Sequence, residues 1–133
     1  LRVELGPKDI ENNQCVVVRR DNGEKTVVSL DELEAKLPEL LRAVHDGLYN
    51  KALERRAAMT FEAHNLEEIK EIADTKPGFI KAMWCGEREC EDKLKEYAGI
   101  TSRCIPFEQE HIDGKCVCCG KEAKHMLYWG KAY

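Results

Sequence analysis

The sequence of 133 residues has no long apolar segment, few aromatic side chains and no excess of charge of one sign. No unbroken apolar run exceeds four residues. A helix that crosses a bilayer needs about 20, so a transmembrane segment is excluded and no membrane partner is expected. The N-terminus lacks the charged and then apolar pattern of a signal peptide, so secretion is not predicted. The chain begins at Leu1 within an alternating strand pattern, and we expect it to be a piece of a longer protein.

Basic and acidic side chains are nearly balanced, with 21 Lys and Arg against 25 Asp and Glu. Neither half of the chain is a basic arm of the kind that binds nucleic acid through its overall charge. Any contact with RNA therefore has to come from a local patch.

Seven cysteines are the most distinctive feature of the composition. An odd number without a secretory signal argues against a disulfide framework and favours thiols in a reducing compartment, where clustered cysteines usually hold metal. We therefore expect a cytoplasmic protein. Cys15 and Cys104 each lie beside apolar residues, and we predict that both are small buried side chains rather than reactive groups.

The other five cysteines form two groups with the spacing of metal ligands. Cys85 and Cys90 are separated by four residues at a predicted strand-to-helix turn, and Cys116 and Cys119 have the two-residue gap of a metal knuckle. Zinc prefers four tetrahedral ligands, and four cysteines leave no open position for water or substrate. The sequence therefore predicts a structural zinc site, with all four of these thiolates as ligands and no catalytic residue.

Other interpretations of the two groups stay open at this point. Cys118 competes with Cys119, but a single intervening residue does not span a knuckle from Cys116, so we predict that Cys118 is not a ligand. His111 or His125 can replace one thiolate, although surface or sheet positions fit them better. A dithiol redox centre at Cys116 and Cys119 is a further alternative, but it leaves the first pair unexplained.

Hydrophobic periodicity divides the chain near residue 60. In the first part, alternation predicts strands over residues 1–5, 15–20 and 25–28, with Asp21-Asn22-Gly23 as a hairpin turn. A capping box that begins at Ser29 then predicts a long helix, with a kink or a new helix at Pro38.

The second part reads as a small α/β layer. Asn65 is predicted to cap a helix that extends to Ala73, and a second helix is predicted over residues 91–98. The predicted strands cover residues 79–84, 101–107 and 126–129. Trp84 and Trp129 are predicted to be core residues.

Five segments together resemble the prolyl-tRNA synthetase family in its archaeal- and eukaryote-like form. They are LRVELGPKD (1–9), VVVRRD (16–21), MWCG (83–86), RCIPF (103–107) and GKAY (130–133). Their order and spacing cover nearly the whole chain and are more specific than the cysteine spacing alone.

The resemblance implies an α/β (α+β) fold in two parts. Residues 1–59 would be the C-terminal portion of an anticodon-binding domain, with a β-hairpin and a long helix. Residues 60–133 would be a small α/β zinc-binding domain, in which the family's four zinc ligands fall on the four cysteines named above. A free-standing zinc-ribbon-like interaction module is the alternative from another class.

The resemblance also implies the function of the whole enzyme and its partners. That enzyme would use ATP to ligate proline to tRNA-Pro, as a homodimer, whereas this part lacks the catalytic motifs and would be inactive alone. Lys8, Arg19 and Arg20 are the candidate tRNA-binding residues, since arginine can hold guanine edges. Only alternate strand residues share a face, so at most one of the two arginines points at RNA, and the favoured alternative is that both are solvated residues beside the hairpin. The family typically ends in tyrosine, so Tyr133 is the candidate for docking its carboxylate on the catalytic domain.

Overall fold

The computed structural model describes residues 1–131. The chain divides into two compact units, Leu1–Glu54 and the residues from Arg55 onwards. The division predicted between residues 59 and 60 lies shortly after this boundary, and as a domain boundary it stays a prediction.

The first unit contains a three-stranded antiparallel sheet with β2 at its centre. Its strands are β1 (Arg2–Glu4), β2 (Gln14–Val18) and β3 (Lys25–Ser29), and the short helix α1 (Pro7–Glu11) follows β1. Cys15, Val17 and Val28 form the buried face. The leucines that pack against it are Leu1, Leu30, Leu33, Leu37 and Leu40. Cys15 is fully buried, as the sequence predicts.

The predicted turn between β2 and β3 is confirmed as a hairpin. The Arg19 amide donates to the Glu24 carbonyl at 2.8 Å, and the Gly23 amide donates to the Arg19 carbonyl at 3.0 Å. Gly23 adopts φ +77°, which an L side chain rarely tolerates.

Helix α2 (Leu33–Ala58) leaves the sheet as one continuous element. It runs through Pro38, so the predicted restart at this proline is wrong. The predicted capping box is also wrong: the Ser29 hydroxyl accepts from the amide of Asp31, and Ser29 itself still belongs to β3. Ser29, which local propensity assigns to the start of the helix, is therefore the last residue of the strand.

The second unit is a four-stranded mixed sheet in the order β4-β5-β7-β6 with two helices. Its elements are β4 (Thr60–Glu62), α3 (Leu66–Thr75), β5 (Phe79–Trp84), α4 (Arg88–Ala98), β6 (Ile100–Cys104) and β7 (His125–Lys131). Strands β4 and β5 are parallel and joined through α3, whereas β7 is antiparallel to both of its neighbours. The predicted α/β layer is confirmed.

The core of this unit lies between its helices and the sheet. Ile69 of α3 and Leu94 of α4 are fully buried together with Trp129 of β7. Trp84 is half-buried and packs against the same cluster. None of the helices within residues 1–131 combines the length and apolar character that a membrane span requires.

The prediction that Cys104 is buried is wrong. Cys104 is exposed, although Ile105 follows it in the sequence. It ends the edge strand β6 just after a register shift, and the apolar neighbour Ile105 is itself half-exposed. An apolar neighbour in the sequence therefore does not bury a residue at the end of an edge strand.

Candidate metal centre and nucleic-acid interface

The first pair of cysteines lies where strand β5 turns into helix α4. Cys85 directly follows the strand, and Gly86 turns the backbone with φ +94°. Cys90 lies in the first turn of the helix, where its amide donates to the Glu87 carbonyl at 3.1 Å. Both side chains are buried.

The second pair lies on a knuckle just before β7. The Cys116 amide donates to the Lys121 carbonyl at 2.7 Å, and the Gly120 amide donates back to the Cys116 carbonyl at 2.9 Å. Gly120 has φ +70°, so this position too favours glycine. The amide of Val117 donates to the Met83 carbonyl at 2.9 Å and ties the knuckle to β5.

The fold brings the four sulfur atoms together. Sγ of Cys85 lies 3.6 Å from Sγ of Cys90 and 3.8 Å from Sγ of Cys119. With Cys116 included, all four sulfurs lie within 4.8 Å of one another. Zinc–sulfur bonds of about 2.3 Å in a tetrahedron put the sulfurs about 3.8 Å apart, whereas a disulfide bond is about 2.05 Å. The four thiols therefore fit a tetrahedral metal ion such as zinc.

Backbone amides support two of the sulfurs. The amide of Glu87 acts to lower the pKa of Cys85, and the amide of Lys121 acts to lower that of Cys119. Each donor lies two residues after its cysteine, beyond the glycine whose positive φ turns the chain. The Cys-Gly pairs are the signal in the sequence from which these amide contacts can be expected.

The surroundings of the thiols raise the pKa of Cys85 and Cys90 and lower that of Cys119. Burial raises the pKa of Cys85 and that of Cys90. Burial also acts to raise the pKa of Cys119, but the amide of Lys121 and the neighbouring thiols outweigh it and lower the pKa to about 7.

The competing ligands lie outside the group of four. Cys118 is buried, but it is not among the residues brought together within residues 1–131, nor are the two histidines. His111 is exposed, and the ring of His125 lies 6.4 Å from that of Trp84. An antiparallel bridge between Lys115 and Glu122 closes the knuckle at its base, so the knuckle is a hairpin tip. Redox dithiols usually lie at the start of a helix, so this position disfavours the dithiol alternative.

Of the candidate RNA-binding residues, Arg19 is engaged within its own unit. Its guanidinium donates to both carboxylate oxygens of Asp21, at 3.1 and 2.7 Å, and to the Ala43 carbonyl of α2 at 2.9 Å. The side chain is only 14% exposed. The hydrogen bond with Arg19 is the main cause that lowers the pKa of Asp21.

The other candidates have different surroundings. Lys8 lies on α1 and Arg20 on the hairpin turn, and both are exposed. Tyr133 lies outside the described residues. The assignment of tRNA contacts therefore stays a prediction, as does the ligand assignment of the four cysteines.

Comparisons with known proteins agree with the two-part organisation. A family described as "Prolyl-tRNA synthetase, C-terminal" matches residues 66–133, and a family described as "Anticodon binding domain" matches residues 1–40. The chain therefore belongs to the prolyl-tRNA synthetase family and corresponds to its C-terminal region.

Individual relatives match along the whole chain. A protein named "Proline--tRNA ligase" from Clostridium novyi is 65% identical over all 133 residues, and "Proline--tRNA ligase 2" from Bacillus cereus is 61% identical. This chain spans 28% of the length of each. The crystal structure of prolyl-tRNA synthetase from Cryptosporidium parvum, complexed with L-proline and AMP, matches with a TM-score of 0.90 and 33% identity. That match covers 99% of this chain and 28% of the other. The matches favour the synthetase interpretation over a free-standing interaction module.

Proposed function

We propose that this chain is the zinc-binding, tRNA-facing C-terminal portion of an enzyme that uses ATP to ligate proline to tRNA-Pro. The observation that carries the proposal is the 65% identity, over every residue, to a protein named for that reaction. ATP and proline bind elsewhere in the whole protein, so this portion has no catalytic residue and is inactive alone. The enzyme is a cytoplasmic homodimer, and Tyr133 docks on the catalytic domain.

The two parts of the chain have different roles. Residues 1–59 complete an anticodon-binding domain, and residues 60–133 form the zinc domain. The zinc is bound by Cys85, Cys90, Cys116 and Cys119. Support comes from the sulfur separations of 3.6 and 3.8 Å, which are close to the edge of about 3.8 Å in a tetrahedral zinc–thiolate centre. Four protein ligands leave no position for water or substrate, so the ion is a scaffold rather than a catalyst.

The tRNA contacts come from the first unit, in which Lys8 lies on α1 before β2 and Arg20 on the hairpin turn after it. Lys8 and Arg20 have exposed cationic groups that reach phosphate oxygens. Arg19 acts with them by fixing the turn, since its donors already bind Asp21 and α2. Because few cations are involved, the binding that this portion contributes is weak and sensitive to salt.

The zinc assignment is tested by metal analysis of purified variants. We expect one zinc per chain in the parent protein, and loss of that zinc with unfolding of residues 60–133 in Cys116→Ser. Structural zinc contributes on the order of 10 kcal/mol to the folding of small domains, so removing one ligand is severe. Cys104→Ser is the matched control because Cys104 is exposed and outside the cluster. Full zinc content and unchanged melting in Cys116→Ser would contradict the assignment.

The synthetase assignment is tested by aminoacylation with the longer protein that contains this chain. We expect proline-dependent charging of tRNA-Pro and no turnover by residues 1–133, in either aminoacylation or disulfide reduction. Lys8→Ala with Arg20→Ala should raise KM for tRNA about tenfold with little change in kcat, because the lost contacts hold tRNA rather than the reacting atoms. Lys51→Ala, an exposed lysine on α2, is the control. An equal effect of the control, or no charging at all, would contradict the proposal.

A further inference from the structure

The segment between β6 and the knuckle presents an aromatic side chain fully to solvent. Phe107 is 108% exposed, as open as in an extended peptide, and Ile105 is 52% exposed. Exposed apolar residues are common singly, but phenylalanine is among the residue types that are most often fully buried. Covering such a side chain with an apolar surface lowers the free energy, because it removes apolar area from water.

The segment that carries Phe107 is held by hydrogen bonds to β7 and β5, the two central strands of the second sheet. The Gln109 amide nitrogen donates to the Pro106 carbonyl at 2.8 Å, and its oxygen accepts from the amide of Met126 in β7 at 2.7 Å. Next to it, Glu110 pairs with Lys81 of β5 at 2.6 Å, and the Lys81 side chain is only 17% exposed. The loop is therefore preorganised, which lowers the entropy that binding through Phe107 has to overcome.

The charge of the loop disfavours RNA as the occupant. Residues 105–114 contain three acidic residues and neither lysine nor arginine. A stacking platform for unpaired bases needs a basic groove that follows the phosphates, and a carboxylate such as that of exposed Glu108 repels them. The side chain is suited to an apolar pocket in protein.

We propose that Phe107 inserts into an apolar pocket on the part of the same polypeptide that lies outside residues 1–133. This inference rests on the proposed function, in which the chain belongs to a longer synthetase. The chain spans 28% of the length of its relatives, so most of such a protein lies outside these residues and supplies a surface at high effective concentration. A central aromatic in a pocket is the usual anchor of a protein interface, and Phe107 is the anchor of this one.

Site-specific photo-crosslinking in the longer protein tests the proposal. The photoreactive residue p-benzoylphenylalanine replaces Phe107, and in a matched control it replaces Tyr97, an aromatic of α4 that is 43% exposed. We expect position 107 to crosslink to a peptide of the same chain outside residues 1–133, with the mass of a single chain, and position 97 not to reach that peptide. A crosslink between two copies, a crosslink to RNA, or none would each overturn the proposal.

Hydrogen exchange in the same longer protein gives a second measurement. In Phe107→Ala, amides of residues 105–110 should exchange about tenfold faster than in the parent, because the anchor no longer covers the loop. Phe107→Leu should restore part of the protection, and Tyr97→Ala should leave the loop unchanged. Equal exchange in parent and Phe107→Ala would overturn the docking.

The outcome is separable from that of the proposed function. Aminoacylation and zinc content report on the function, and neither depends on where Phe107 docks. An active, zinc-loaded protein without the crosslink overturns the docking alone. A protein that crosslinks as expected but does not charge tRNA overturns the function alone.

Discussion

At the scale of single residues, Arg19, Asp21 and helix α2 form a hydrogen-bonded clamp in the first unit. A Cβ on Gly47 would lie 2.9 Å from the Asp21 carboxylate and 3.1 Å from the Arg19 guanidinium. Asp21 cannot easily move away, because its side chain is only 7% exposed and both oxygens bind Arg19. The glycine therefore lets the ion pair lie directly on the helix.

This contact predicts a background-dependent effect of Gly47→Ala. Alanine in a helix interior is ordinarily favoured over glycine by about 1 kcal/mol. We expect this gain in the Asp21→Ala background, where the carboxylate is gone, but not in the parent protein, where the new methyl group displaces the clamp. Denaturant unfolding of the four proteins measures the difference, and equal effects in the two backgrounds would contradict the role of the clamp.

At the scale of elements, helix α3 depends on its N-terminal cap. The Asn65 side chain accepts from the Glu68 amide at 2.9 Å, and the Glu68 carboxylate accepts in turn from the His64 amide at 2.8 Å. The helix joins parallel strands β4 and β5, so its first turn fixes how the chain enters the second sheet.

Loss of this cap should lower stability by a predictable amount. Asn65→Ala leaves the Glu68 amide without its acceptor and should reduce the free energy of unfolding by about 1 kcal/mol. Asn65→Ser keeps an acceptor oxygen for the Glu68 amide and places no second carboxylate beside that of Glu68, which the Asn65 amide nitrogen contacts at 2.7 Å, so it should retain most of the stability. Both variants are compared by denaturant unfolding at saturating zinc, and an equal loss in both would argue against the cap.

The same elements show what the sequence can and cannot predict. The Asn65 cap and strand β5 follow from local pattern, and the prediction matches the structure there. Strand β4 was not predicted, because three residues carry no periodicity and their pairing with β5 defines them.

The candidate functional residues also include some that are predictable from the sequence and some that are not. The spacing of the cysteines predicts each pair, since a short turn can direct two thiols to one side. The internal position of Arg19 was not predicted, because its acceptor on Ala43 lies 24 residues further along the chain. Contacts set within a turn are predictable from the sequence, whereas contacts made through the fold are not.

At the scale of the whole molecule, the two units rest on different sources of stability. The buried face of the first consists of Cys15, Val17 and Val28 with surrounding leucines, and it contains no member of the four-cysteine group. In the second, Cys85, Cys90 and Cys116 belong to the main buried cluster itself. A metal ion held by these sulfurs would therefore link residues of the core itself, as the 3.6 Å separation of the Cys85 and Cys90 sulfurs illustrates.

Removal of metal should therefore affect the two units unequally. After treatment with a strong chelator, we expect the amides of β5, β6 and β7 to lose most of their protection from hydrogen exchange, because binding free energy of the metal is folding free energy in such domains. Amides of β2 and β3 should keep theirs, since their hydrogen bonds and their core contain no part of the site. Readdition of zinc should restore the exchange pattern of the second unit and serves as the control for irreversible damage. Equal loss in both units, or full protection of β5 to β7 without metal, would show that the cysteine centre is not what stabilises the second unit.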